Sequence, residues 1–215
     1  MVSTQAAVIF ADDFSESDGT VLKGKTPDTG ISWEQTGGTD VTIQGGVAST
    51  VGAARVVFGN FTGAPSVAEP LLTVTFDTTL ISHNGGYAGV SLFAGTDEKI
   101  FIGDLSGDTT GWGLSISGGG SGSNDTYSGA HTVTISYDFS TGLTQLFDGA
   151  SASGVPLLTQ NAAPGLELNR LRIANDGGGD IALNSVLVQT SPVPEASTFA
   201  FLLSGLGILL IRRRR

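Results

Sequence analysis

The sequence predicts an all-β protein: an antiparallel β-sandwich over residues 1–190, a linker at 191–198, and a short C-terminal transmembrane helix with an arginine cluster at 199–215. Three observations predict it. Short runs rich in Val, Ile, Thr, Phe and Leu recur between clusters of Gly, Asp, Asn and Ser. Several runs alternate apolar and polar residues, the period of a strand with one face in a core and one in water. Before position 190, no window of twelve residues carries a helical stripe.

The clearest strands, in order, are Ala53–Gly59, Leu71–Leu80, Tyr87–Ala94, Lys99–Leu105, Gly111–Ile116, His131–Phe139, Leu143–Phe147, Glu167–Ile173 and Asp180–Gln189. The first strand of the chain is expected at Ala7–Phe10 or from Asp13–Phe14 onward. In the Leu71 run, Leu72, Val74, Phe76 and Leu80 share one face, while Thr73, Thr75, Asp77 and Thr79 share the other. So many short strands with turn signals between them suggest a sandwich or barrel. Phe139–Leu143 reads as a hairpin, with Gly142 free to take positive φ. Asp148–Gly149 is a second turn dipeptide. Gly118–Asp125, rich in Gly and Ser, reads as a loop. It lacks the Lys-Ser/Thr and the following helix of a phosphate-binding loop.

Composition excludes several functions. There is no cysteine, hence no disulfide, thiolate metal site or cysteine nucleophile. His83 and His131 are the two histidines, too few for zinc or Ser-His-Asp chemistry to be well supplied. His83 reads as a turn residue and His131 as the start of a strand. Positions 1–211 hold six basic residues (Lys23, Lys25, Arg55, Lys99, Arg170, Arg172) against twenty acidic ones, a net −14. Such a body repels nucleic acid, whose phosphates need a basic surface.

The character changes after Thr190. A Pro/Ser linker, Ser191–Thr198, precedes thirteen uncharged residues, Phe199–Ile211, and then Arg212, Arg213, Arg214 and Arg215. Thirteen helical residues reach about 20 Å, short of the ~30 Å hydrocarbon core. Uniform apolarity, the proline linker and the arginine block still favour membrane insertion. Arginine stems snorkel to headgroups, and a cytoplasmic positive cluster fits the charge bias of membrane helices.

This tail resembles the PEP-CTERM sorting signal: a Pro-Glu motif (Val193–Ser197), an apolar helix (Phe199–Ile211) and a terminal arginine cluster. Ala196 stands where the usual motif has its second proline. The resemblance implies an exosortase, a membrane-embedded cysteine transpeptidase-like protease, as partner. Pro194 and Glu195 would be its recognition element, and Arg212 to Arg215 the anchor stop. It also implies export by a Gram-negative bacterium that makes extracellular polysaccharide. Such a protein would pass transiently through the inner membrane to the cell surface or matrix. Met1–Ala11 has no positive charge, and its six-residue apolar run is shorter than a secretory core; the expectation is a trimmed start. Ala11–Phe14, Asp18–Thr20, Phe101–Asp104 and Leu171–Asp180 are similar to segments of concanavalin A-like, laminin-G-like jelly rolls. That resemblance agrees with the strand pattern.

Three chemistries are worth weighing in such a body. Sandwich glycosidases carry paired carboxylates, but the laminarinase-type Glu-x-Asp-x-x-Glu pattern fails at Val21, and Asp97–Glu98 falls at the turn before a strand. Calcium takes six to eight oxygens, often from loops. Joining the first and last strands would bring Asp12, Asp13 and Asp180 together with Asn184 as calcium ligands; turn and cap aspartates are the plainer alternative. Trp112, flanked by Gly111 and Gly113, is the candidate sugar contact, with core packing as its alternative. The resulting expectation is a non-enzymatic, exported surface or matrix protein, processed by an exosortase, whose sandwich binds carbohydrate or self-associates. A sandwich glycosidase or lyase on the same anchor is one rival, and a structural spacer another.

Overall fold

The structure, a computed structural model, describes residues 6–82, 86–107 and 111–191. In chain order the strands are β1 (Ala7–Asp12), β2 (Ser32–Glu34), β3 (Thr42–Gln44), β4 (Val47–Ser49), β5 (Val56–Asn60), β6 (Leu71–Ile81), β7 (Ala88–Ala94) and β8 (Asp97–Asp104). They continue as β9 (Trp112–Ile116), β10 (Ser121–Asn124), β11 (Thr132–Asp138), β12 (Leu143–Asp148), β13 (Leu158–Asn161), β14 (Arg170–Asn175) and β15 (Ile181–Ser191).

They form two antiparallel sheets. One runs β13-β12-β11-β6-β15-β4-β3, with β1 also beside β15. The other runs β10-β9-β8-β7-β14-β5-β2. No helix is found among the described residues, and so none long and apolar enough to cross a membrane. All nine strands expected from periodicity exist. Gly118–Asp125 is corrected: it contains β10, whose Ser121 pairs with Ser115 at a sheet edge. Backbone pairing needs no side chain, so a Gly/Ser run conceals it.

The inner faces meet in one core. Val74 and Phe76 of β6, Leu171 and Ile173 of β14, Ile100 and Ile102 of β8, and Val186 and Val188 of β15 are all buried in it. The alternation in β6 holds through Thr78; near its end Leu80 is partly exposed and Ile81 buried. Register shifts in the pairing with β15 at Leu183 reverse the faces there. Burial at about 25 cal/mol per Å² of apolar surface drives the closure of such faces.

Gly142 acts as expected, while Gly113 does not open space beside Trp112. Gly142 has φ +77°, and a Cβ there would meet the Ala162 carbonyl. Gly113 leaves room that the Leu105 side chain fills.

Candidate functional site

Polar chemistry concentrates on the outer face of the seven-stranded sheet. Because β14 sends Leu171 and Ile173 inward, it sends Arg170 and Arg172 outward. Strand register aligns Glu34, Phe58, Arg172, Ser91, Phe101, Ser115 and Ser121 in one row across all seven strands. The next row is Ser32, Asn60, Arg170, Phe93 and Glu98. A register shift after Leu92 sets Glu98 opposite Phe93.

The two rows interlock. The Arg170 guanidinium lies 3.8 Å from the centre of the Phe58 ring and 3.8 Å from Glu34 Oε2. Burial pulls the Arg170 guanidinium below its ordinary range, and the charge of Glu34 opposes that. Phe58 and Phe93 meet edge to face at 5.5 Å. Arg172 Nη2 donates to Glu98 Oε2 at 2.6 Å and to Ser91 Oγ at 3.0 Å. Its guanidinium carbon is 5.3 Å from the Phe93 ring and 5.9 Å from the Tyr87 ring. The arginines thus roof buried rings that lie outside the core.

A cavity of about 330 Å³ opens here, lined by Tyr87, Glu98, Phe101, Leu105, Ser106, Ser115 and Arg172. An adjoining cavity of about 140 Å³ shares Glu98, Phe101 and Ser115 and adds Lys99 and Ser117. Aromatic edges, a guanidinium, an ammonium, hydroxyls and one carboxylate are the groups that hold a polyhydroxylated ligand. Among the described residues, Glu98 is the single carboxylate lining either cavity. Glu34 sits four strand spacings away, about 19 Å by the ~4.8 Å spacing of paired strands. Glycosidases that use two carboxylates hold them about 5–9.5 Å apart.

The predicted calcium set does not come together. Asp12 pairs with Val186 on β15, and Asp180 lies six residues earlier on that side, about 20 Å along the strand. Asp180 instead accepts from the Gly52 N–H at 3.2 Å. Asn184 donates to Asp77 Oδ2 at 2.7 Å, on the opposite face of the sheet from the buried Asp12. Asp12 has a cation already: Lys25 Nζ reaches its oxygens at 2.8 and 2.7 Å. The Trp33 indole N–H also donates to it at 2.6 Å, and the Phe14 N–H at 3.0 Å. Lys25 makes a second ion pair with Glu16 at 2.7 Å. Burial works against the ammonium, but the hydrogen bonds it donates to Asp12 and Glu16 outweigh it and hold Lys25 above its usual range. Asp13 approaches Asp12 and Asp28, a different grouping from the predicted one.

Trp112 is corrected as well. It is fully buried, donates to the Gly129 carbonyl at 2.9 Å and packs against Phe76 with ring centres 5.8 Å apart. His131 stacks on Tyr127 at 4.0 Å, and the Tyr127 hydroxyl donates to Asp148. His83, the sorting residues Pro194 and Glu195, the apolar segment 199–211 and Arg212, Arg213, Arg214 and Arg215 lie outside the described residues.

Sequence reasoning missed Arg170, Arg172 and Glu98 as one site. The Arg-x-Arg alternation at 170–172 was the available signal. Glu98 belongs to β8 rather than to the turn before it.

No protein-family model and no curated protein sequence matches this chain. Solved structures do resemble it. An endo-acting O-glycanase from the human gut microbiota, described as initiating mucin breakdown, aligns with TM-score 0.52 and 14% identity, covering 85% of this chain and 98% of its own. The apo Crh5 transglycosylase aligns with TM-score 0.53 and 17% identity, covering 89% and 87%. The CBM2 module of the evolved Dit protein of Lactobacillus casei BL23 phage J-1 aligns with TM-score 0.55 and 10% identity, covering 90% and 99%. At these identities the likeness is one of fold. The expectation of a non-enzymatic chain is corrected to this extent: the fold is shared with proteins named an O-glycanase and a transglycosylase, as well as with a CBM2 module.

Proposed function

We propose that this chain is a carbohydrate-active sandwich of the concanavalin A-like jelly-roll type that acts on a glycan held against the outer face of the seven-stranded sheet. The observation that carries the reading is the cavity in which Glu98 and Arg172 stand among Tyr87, Phe101 and Ser115. Ring edges and hydroxyls match the apolar and polar sides of a sugar. Binding rests on the whole face; bond chemistry rests on Glu98, the carboxylate within reach of whatever the cavity holds. The glycosidase or transglycosylase arm therefore stands or falls with Glu98.

The test is incubation of the full chain, in mild detergent, with a panel of soluble polysaccharides. Binding and product length are followed together. Turnover in the parent, with Glu98→Gln lowering it by about 10²–10⁴-fold, the usual worth of a positioned acid or base, supports the reading. A parent that neither binds nor shortens or lengthens any glycan overturns it.

Export and tail processing belong to the same proposal and rest on the C-terminal sequence. The tail inserts with Arg212–Arg215 on the cytoplasmic side, and an exosortase cuts near Pro194 and Glu195. Serine in place of Arg212–Arg215 weakens retention in the inner membrane, and alanine in place of Pro194 and Glu195 leaves the anchor intact but blocks processing. Product size in an exosortase-bearing host reads both effects. Two variants that mature like the parent reject the assignment.

A further inference from the structure

We infer that the ligand of this cavity carries a carboxylate: a hexuronate unit within the glycan, seated on Arg172 in the place Glu98 now occupies. The inference rests on the glycan-binding reading above and names the substrate class.

The state of Arg172 carries it. A guanidinium has five N–H donors in a planar fork. Both of its hydrogen bonds, to Glu98 and to Ser91, leave from Nη2. Its Nε is buried without a partner, and no described residue accepts from its Nη1. The site thus keeps a cation on an aromatic bed while using little of its hydrogen-bonding capacity. Neutral sugars do not require such a cation. A carboxylate does, because its two oxygens match the fork bidentately.

The present partner shows the shape that fits. Glu98 puts a carboxylate at 2.6 Å from the fork, yet its side chain remains 35% exposed. An exchange of one carboxylate for another of the same geometry conserves the ion pair on Arg172. It also leaves Glu98 beside Lys99, with which it lines the adjoining cavity. Lys99 is itself held only by an exposed contact to Asp97 at 3.2 Å. Arg172 then keeps a carboxylate partner and Glu98 gains the ammonium of Lys99, at the expense of the exposed contact to Asp97, and the local net charge falls by one.

The placement of cations points the same way. Of the six basic residues in positions 1–211, three (Lys99, Arg170 and Arg172) stand at this face of a body that is otherwise acidic. The surrounding acidity disfavours a densely charged polyanion. It acts weakly on a single uronate, since exposed charges are screened within about 8 Å at physiological ionic strength. The cavity of about 330 Å³ lies at the small end of ligand pockets. That suits one sugar unit of a chain that continues along the face.

The experiment compares glycans with and without the carboxylate on one backbone. The probes are glucuronoxylan and polygalacturonate oligosaccharides, the same oligosaccharides after reduction of their carboxyl groups to alcohols, and sulfated and neutral glucans. Binding to the full chain in mild detergent is measured by calorimetry at 0.15 M salt. The expected result is binding of a carboxylate-bearing probe that falls at least tenfold on reduction and is lost in Arg172→Gln. Glu98→Gln should bind that probe about fivefold more tightly, because the competing internal carboxylate is gone and an exposed ion pair is worth up to about 1 kcal/mol. This gain is not expected of a misfolded protein, so it protects the test against a destabilised Arg172 variant. Binding that is equal for reduced and unreduced probes, or confined to neutral or sulfated glucans, overturns the inference and leaves the glycan-binding reading standing. Absence of binding to every probe overturns both.

Discussion

Replacing Lys25 with methionine should be among the most damaging single changes outside the hydrophobic core. The perturbation removes the ammonium and keeps most of the side-chain length. Asp12 then stays behind with its side chain fully buried, where Lys25, itself 7% exposed, had been its counter-ion at 2.7 Å. Removing one partner of a buried pair costs about 3–5 kcal/mol. Asp12 retains the Trp33 indole and Phe14 amide as donors, so the lower end, about 3 kcal/mol, is expected. For a protein of this size that corresponds to about 6–12 °C in Tm, at 2–4 °C per kcal/mol. Urea unfolding followed by tryptophan fluorescence is the assay, since Trp33 touches the perturbed carboxylate. The m-value should not change, which would mark a pure stability effect. Adding Asp12→Asn to Lys25→Met keeps an acceptor for Trp33 and removes the stranded charge. The double variant should recover about 2 kcal/mol, within the usual range of coupling between touching residues. A single-variant loss below about 1 kcal/mol, or no recovery in the double variant, would refute the account of Asp12 and Lys25 as a mutually dependent pair.

Other outcomes follow from the same geometry. Gly142→Ala should lose more than about 1 kcal/mol in urea, since a left-handed conformation costs L-residues about 1–2 kcal/mol and a Cβ meets the Ala162 carbonyl; an unchanged midpoint would contradict the hairpin geometry. Trp112→Phe should destabilise by about 1–3 kcal/mol through loss of its bond to Gly129. Its glycan affinity per folded molecule should equal the parent's, and a selective loss of affinity would restore Trp112 as a sugar contact. At alkaline pH, Lys25 is raised above its ordinary 10.5, and Tyr127 and Tyr137 are raised above their ordinary 10.0, in both tyrosines chiefly by burial. A raised value in the folded state gives stability that is complete below the ordinary value and lost as pH rises through the folded one. Midpoints should therefore be flat in that respect at pH 8–9 and fall from about pH 10; a midpoint constant to pH 12 would contradict all three environments.

Long strands were legible because alternation over five or more residues fixes both existence and facing. The three-residue β2, β3 and β4 and the four-residue β13 were not, since so short a segment carries no period. β10 was hidden by its own composition, Ser-Gly-Ser-Asn. The fate of Trp112 turned on what its flanking glycines do: the space at Gly113 is taken by Leu105, a residue seven positions upstream of Trp112. Asp12 looked like a metal ligand because its cation, thirteen positions on, reaches it only in the folded chain. The pairing of the first and last strands was foreseen, but not that Asp12 would face the core while Asn184 reached Asp77 on the outer face. Glu98 and Arg172 are 74 positions apart in sequence, and only the register of β8, β7 and β14 makes them neighbours.

The seat of β15 has a mechanical consequence. The described chain ends at Ser191, the last residue of β15. That strand lies inside its sheet, zipped to β6 from Ile181 to Ser191 and to β1 from Val186 to Thr190. Its ladder bonds run across the strand, so tension applied at Ser191 along the strand axis shears them. Many bonds then carry the load in parallel, where a perpendicular pull would peel them one at a time. A tether attached at this end would draw on the strongest direction of the sheet, and the sandwich would yield to a sideways force well before a lengthwise one.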